Sequence, residues 1–354
     1  MDVNPRRLVG IGAERISNVA DSEFPGHYPN EDNSWDLEKF KRKLTVQVQR
    51  LSQRSIEFDL VGVDASIANA FRRIMIAEVP TLAIEHVYVF NNTTVIHDEI
   101  LAHRLGLIPL NVDPALLDSR KDGDTPTDRN TLEFKLHLEC SQNPAFNKSS
   151  LTTNPNPSDD DLYINHQLLS GHLQWIPVGE QSDRMTDVGP TTKDIVLAKL
   201  RPGQAVETLH AVKNIGSVHA KWSPVATATY RLHPNIIIKS PIPIERADEF
   251  AKCFSAGAVK VDKKGQYSVV KIDKKGMRND TVSREVLRDP EFKDMVELSR
   301  IRDWFIFSVE SESAYKPEQL LPEAITVMKQ KISEMRASAM QLSQASEDVP
   351  MADV

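Results

Sequence analysis

Hydrophobic positions recur with period two in several stretches of this chain and with a helical period in others, and the switches between the two mark its elements. Leu44, Val46 and Val48 alternate with Thr45, Gln47 and Gln49, and Ile56, Phe58 and Leu60 alternate with Glu57 and Asp59. That is the pattern of antiparallel strands with one apolar face. From Ser66 to Val79 the period lengthens: Ile67, Ala70, Phe71, Ile74 and Ala77 form one stripe, with Asn69, Arg72 and Arg73 on the other side. Ser66 is the expected cap, and Pro80, which lacks an N–H, the expected stop.

Ala83 to Phe90 reads as extended, Asn91-Asn92 as a turn, and a short helix is expected from its cap at Asp98 to Gly106. His97 and His103 flank Asp98 and Glu99 there, but six residues at about 100° each set the two imidazoles on nearly opposed helix faces, so they do not make a metalloprotease pair. Hydrogen bonding at the helix ends is the expected use of both. Leu132, Phe134, Leu136, Leu138 and Cys140 alternate with polar residues as a half-buried strand in which Cys140 is a small, inert core residue. Residues 141–161 are crowded with Asn, Pro, Ser and Asp and read as an exposed loop. Strands are expected at 195–200, 206–212 and 222–232.

Two glycine turns, Val261-Asp-Lys-Lys-Gly265 and Ile272-Asp-Lys-Lys-Gly276, repeat eleven residues apart, and positive φ at each glycine would suit hairpins. Lys260 to Arg278 holds seven basic and two acidic residues, the one basic island of the chain. Solvated hairpin loops are the preferred reading of it, and a nucleic-acid platform the alternative. After a strand at Trp304–Glu310, with Phe305, Phe307 and Val309 on one face, a helix begins at Lys316-Pro317-Glu318. Along it Leu321, Ile325, Met328, Ile332, Met335, Ala339 and Leu342 are spaced 4, 3, 4, 3, 4, 3, a heptad seam suited to lengthwise packing against a helix of another chain or against its own sheet.

Composition narrows the class. With 43 Lys+Arg against 50 Asp+Glu in 354 residues the net charge is −7, whereas proteins that hold duplex nucleic acid alone usually carry a basic surplus. Cys140 and Cys253 each stand alone, without the partner spacing of a zinc site or a disulfide framework, and no run approaches the roughly 18 apolar residues of a membrane span. A reduced, intracellular protein of about two domains is expected. Phosphate loops, nucleophile elbows and metal-spaced ligands are missing from the sequence, which favours a scaffold over an enzyme. The remaining segment, 1–39, is polar and turn-rich and reads as an extended N-terminal arm.

The run Ala65-Ser-Ile-Ala-Asn-Ala-Phe-Arg-Arg-Ile-Met-Ile-Ala-Glu-Val-Pro80 resembles the helix motif of RNA polymerase α-type subunits. His97-Asp-Glu-Ile-Leu-Ala-His-Arg-Leu-Gly-Leu-Ile-Pro109 resembles the next block of the eukaryotic members, and His219-Ala-Lys-Trp-Ser-Pro-Val-Ala-Thr-Ala-Thr-Tyr-Arg231 and the closing strand and helix are similar to the family's return to its dimerisation domain. Leu197-Ala-Lys-Leu-Arg-Pro-Gly-Gln204 and Asp280-Thr-Val-Ser-Arg-Glu-Val-Leu287 resemble, more narrowly, the larger α-like subunits common to RNA polymerases I and III.

That resemblance implies an α+β fold: a split dimerisation domain of antiparallel strands and two partner-facing helices (40–82 plus 219–340), an inserted, mainly β domain (83–218), and an acidic tail (341–354). It implies a noncatalytic subunit, without cofactor or metal, that heterodimerises with the smaller α-like subunit. The implied interface comprises Ile67, Asn69, Phe71, Arg72, Arg73 and Ile74 on the first helix and Leu321, Ile325, Met328, Ile332 and Met335 on the last. Arg72 and Arg73 match the paired arginines near the docking face for the largest and second-largest subunits; small zinc-binding polymerase subunits are further implied partners. It also implies action in the nucleus, nucleolus included, in making ribosomal RNA precursors, 5S RNA and tRNA. The RNA polymerase II relative carries a zinc-binding cysteine cluster in its inserted domain and bacterial α a separate DNA-binding domain; lone Cys140 and the acidic end match neither, so neither metal binding nor sequence-specific DNA contact is expected.

Overall fold

A computed structural model describes residues 7–19, 34–120, 123–146, 157–264, 267–273 and 275–347. Within them the chain forms two compact units, each made of separated segments. The first takes in Met1–Arg50, Ile56–Ala70 and Thr229–Ser308, the second Leu51–Ser55, Phe71–Ala228 and Val309–Val354. The second unit thus contains 83–218, the expected insertion, together with the later half of the first long helix and the whole C-terminal helix, which the resemblance groups with the dimerisation domain. Local bonds explain the grouping: the Tyr315 hydroxyl donates to the Pro80 carbonyl at 3.1 Å, and Lys331 pairs with Glu78 at 2.7 Å.

The first unit is built on a six-stranded sheet in the order Ile16–Ser17, Leu8–Ile11, Val296–Ser311, Ser55–Val61, Thr45–Leu51, with Val225–Ile238 also paired to Val296–Ser311. Phe58 stacks on Phe307 at 5.0 Å, and Tyr230 meets the edge of Phe305. A second apolar cluster gathers Ile236, Phe250, Phe292, Val296 and Leu298. The alternation expected at Ile56, Phe58 and Leu60 is that of a buried face, and the offset rings contribute beyond their buried area.

Two expectations change here. Part of the arm is a packed element, since Leu8–Ile11 runs antiparallel to the long strand, Leu8 opposite Ile301 and Ile11 opposite Leu298. Four residues are too few to show a period; the partner strand supplies the order. A helix at Leu37–Lys43 follows, capped by Asp36, whose carboxylate accepts from the Glu38 and Lys39 amides. In contrast, the apolar positions Leu44, Val46 and Val48 are exposed, because Thr45–Leu51 lies at the sheet edge with nothing over it among the described residues.

The second unit centres on an antiparallel sheet ordered Gln174–Ile176, Thr131–Glu139, Ala205–Ile215, Pro80–His86, with Asn91–Asn92 also on Ala205–Ile215. The expected strand at 132–140 supplies Leu132, Leu136, Leu138 and Cys140 to its core, and the helix Asp98–Gly106 covers them with Leu101 and Leu105. Burial raises the Cys140 thiol above its ordinary pKa, so it stays protonated, as expected of a core cysteine.

The expected caps are corrected. At the first long helix, Ala65–Ala77, the capping acceptor is Asp64, whose carboxylate takes the Ser66 amide at 2.8 Å and is held below its usual pKa by bonds from Ser66. At the second helix Asp98 is already helical, its carboxylate accepting from the Asn92 side chain, and His97 stands at the cap position without a side-chain capping bond. At the start of the expected loop 141–161, Ser141–Gln142 pairs with Tyr163–Ile164 just beyond it, and Ser158 and Asp161 form a capping box; 147–156 lie outside the described residues.

Candidate partner interface

The Pro317–Glu347 helix changes character along its length. Pro317, Leu320 and Ala324 are buried, the last two completely, and fix its first turns onto the second unit. Beyond Met328 every residue through Ser343 is exposed. The seam therefore emerges from its own unit: Leu321 and Met328 are half-buried, Ile325 is 40% exposed, Ile332 56% and Met335 71%, with Leu342 more open still. The buried Leu320 and Ala324 lie beside the seam and not on it, and beyond Met328 no seam residue through Leu342 is covered by the described residues.

The later half of the Ala65–Ala77 helix lies in the same unit. Its end is fixed from behind: the Ser217 amide donates to the Ala77 carbonyl at 2.7 Å, and a Cβ on Gly216 would sit 2.6 Å from the Ile76 carbonyl oxygen. That approach admits only glycine. Next to this end, Lys331 grips both carboxylate oxygens of Glu78 at 2.9 and 2.7 Å, which puts seam residues Met328 and Ile332 beside the close of the first helix. Phe71 and Arg72 are half-buried and Arg73 is exposed, while Ile74 is only 5% exposed and, with Met75, fills the core. Ile74 thus supports the helix from beneath instead of offering a surface. Ile67 and Asn69, half-buried, belong to the portion of the helix in the first unit.

The motif at His219–Ser223 is structural. Trp222 is buried and donates its indole N–H to the Val212 carbonyl at 3.2 Å; Lys221 lies 4.5 Å over its ring, pairs with Glu85 and donates to the Ile84 carbonyl. A charge over an indole face and a saturated hydrogen-bond set are what a packing motif needs.

Groups suited to chemistry are not brought together. Among the described residues no three His, Cys, Asp or Glu side chains could share a metal ion, and no helix is long and apolar enough to cross a membrane. His97, Asp98, Glu99 and His103 face solvent. A cavity of about 410 Å³ in the second unit has an apolar floor that includes Leu82, Leu110 and Val225, but Arg54 at its mouth is already bound to Glu312 at 3.2 Å and to Thr192 at 2.9 Å.

Three of the seven cations of the basic island, Lys260, Lys271 and Arg278, are held in ion pairs. Val259–Lys264 and Tyr267–Ile272 form one hairpin, Val259 opposite Ile272, in which Lys260 pairs with Asp273 at 2.5 Å and Lys271 with Asp262 at 3.8 Å. Arg278 turns inward to Asp59, 2.7 Å, and Glu57, 2.5 Å. Gly276 does not supply the expected positive φ; its Cβ would collide with the Gly257 carbonyl at 1.8 Å, so close approach is what demands glycine there. Gly265, Gln266 and Lys274 lie outside the described residues. Sequence reasoning missed the Arg278–Asp59–Glu57 cluster because its members are about 220 residues apart and each sits on a locally polar face.

Residues 57–332 match the model of the RNA polymerase Rpb3/Rpb11 dimerisation domain. Over 327 residues, 91% of this chain and 92% of the relative, the sequence is 46% identical to DNA-directed RNA polymerases I and III subunit RPAC1 of Bos taurus. The corresponding Saccharomyces cerevisiae subunit is 46% identical over 331 residues, 92% and 96% of the two chains. By comparison, DNA-directed RNA polymerases II, IV and V subunit 3 of Arabidopsis thaliana is 34% identical over 319 residues, 84% of this chain and 92% of the relative. An α+β fold, an uncovered heptad seam and these matches agree: the chain belongs to the Rpb3/Rpb11 dimerisation family of RNA polymerase subunits, in its branch of larger α-like subunits of the I and III type.

Proposed function

We propose that this chain is the noncatalytic assembly subunit of nuclear RNA polymerases I and III, joining the smaller α-like subunit through its exposed heptad seam and thereby nucleating polymerase assembly. The seam carries the reading: a row of large apolar side chains left open to water on an ordered helix is the signature of an obligate partner. The dimerisation domain comprises 40–82 and 219–340, with 83–218 inserted. Arg73, exposed, and its neighbour Arg72 serve the docking of the largest and second-largest subunits, whose carboxylates planar guanidinium groups recognise well; small zinc-binding subunits complete the set. The site of action is the nucleus, nucleolus included, and the products are ribosomal RNA precursors, 5S RNA and tRNA.

Co-expression of the full chain with the smaller α-like subunit tests this. A stoichiometric complex is expected, lost when Ile325, Met328 and Ile332 are replaced together by Asp, since buried unpaired charge is not tolerated in such an interface. A stable monomer that ignores the smaller subunit would contradict it. The alternative of a nucleic-acid module using Lys260–Arg278 is disfavoured by the ion pairs at Lys260, Lys271 and Arg278.

A further inference from the structure

The flanks of the seam carry one sign of charge. Along the exposed turns Lys329 follows Met328, Arg336 follows Met335, and Lys331 precedes Ile332. In heptad terms these are the positions that border the apolar core and face the partner's own borders. The other flanking positions of the helix, Pro322, Ala324, Ser338 and Ser343, are uncharged. The one carboxylate among the exposed turns, Glu334, stands away from the seam and accepts from Gln330 at 3.0 Å. Lys331 is spent on Glu78. Among the described residues no carboxylate pairs with Lys329 or Arg336, and both are exposed. In a chain of net charge −7, a cationic border along an uncovered apolar seam is local and directional.

We infer that the seam selects its partner by charge as well as by shape: the occupant is a helix of a different chain with an apolar stripe spaced four and three and with Asp or Glu at the positions bordering that stripe. This deepens the heterodimer reading above and rests on it. Facing charges of opposite sign steer encounter and fix register, and like charges exclude wrong partners. A second copy of this chain would bring Lys329 and Arg336 against their own kind, so the same border that attracts an acidic helix disfavours self-pairing.

The test measures the dissociation constant of the complex with the smaller α-like subunit as salt is raised from about 0.05 M to about 0.5 M, where surface charges are screened. Three forms of the full chain are compared: wild type, K329E/R336E and I325D/M328D/I332D. Wild type should weaken with salt. Charge reversal should weaken the complex by about tenfold to a hundredfold at low salt, with the loss shrinking at high salt, and carboxylate-to-lysine changes on the partner's bordering positions should restore it. If reversal leaves both the affinity and its salt dependence unchanged while the triple Asp variant abolishes binding, the acidic-border inference is overturned and the heterodimer reading stands. If the triple Asp variant also binds normally, both fall. Sedimentation showing that the wild-type chain pairs with itself through this helix would overturn the inference as well.

Discussion

Ile74 and Ile332 hold equivalent places, each an isoleucine on the apolar stripe of an amphipathic helix, yet one is 5% exposed and the other 56%. Around Ile74 the chain supplies its own cover, with Met75 buried beside it and the Gly216 backbone closing over the helix end. Around Ile332 the described residues leave more than half of the side chain open. Periodicity states that a stripe wants burial; only the fold states whether the same chain provides it. The contrast divides this molecule into regions it completes by itself and regions, the end of this helix among them, that it leaves uncovered, and the two should respond differently to substitution.

The sharpest response is expected where the chain closes on itself around charge. Arg278→Met leaves Asp59, 2% exposed, without a countercharge and with only the Gln49 side-chain bond, and should cost about 3–5 kcal/mol of stability, while Asp59→Asn added to it should recover part of the loss. Urea unfolding of the single and double variants measures both. Lys331→Met, at an exposed pair, should change stability by about 1 kcal/mol or less.

Next in size, the two ends of the C-terminal helix can be set against each other. Leu320→Ala, at a fully buried site, should destabilise by about 2–5 kcal/mol; Ile332→Ala should alter the free chain by no more than about 0.5 kcal/mol and still weaken the heterodimer. Equal losses at both sites in thermal melts would erase the distinction between covered and uncovered turns.

Smaller effects belong to the first unit. His233 is buried against Trp304, ring centroids 4.3 Å apart, and burial lowers its pKa from the ordinary value of 6.5. The folded state therefore holds the neutral ring while the unfolded chain binds a proton below about 6.5. Stability is fully present above that pH and falls as the solution is acidified towards the lower folded value, by at most about 1.4 kcal/mol per pH unit. His233→Phe should flatten this part of the pH profile. Least of all, Asp64→Ala, removing a cap, should cost about 1 kcal/mol.

Much of the fold could be read directly. Phe305, Phe307 and Val309 announced a buried strand and are buried, and the 4, 3 spacing from Leu321 to Leu342 announced a helix and lies on one. What escaped reading was non-local or marginal. Leu8–Ile11 has order only through its partner strand, Glu57 and Asp59 look like the polar face of a strand until Arg278 arrives from far along the chain, and Asp64 and Ser66 are both good caps that only geometry separates. Within the candidate interface the sequence supplied the stripe on each helix but not its cover, so Ile74 and Ile332 looked alike.

Amide hydrogen exchange over the C-terminal helix, with and without the smaller α-like subunit, addresses the central claim most directly. Residues 325–343 make few buried contacts in the chain alone and should exchange quickly, while the turns carrying Leu320 and Ala324 should be protected. Addition of the smaller subunit should slow exchange across 325–343 by at least about tenfold, a shift of about 1.4 kcal/mol in opening free energy, and leave the first turns little changed. Exchange over 325–343 that is the same with and without that subunit would contradict the account.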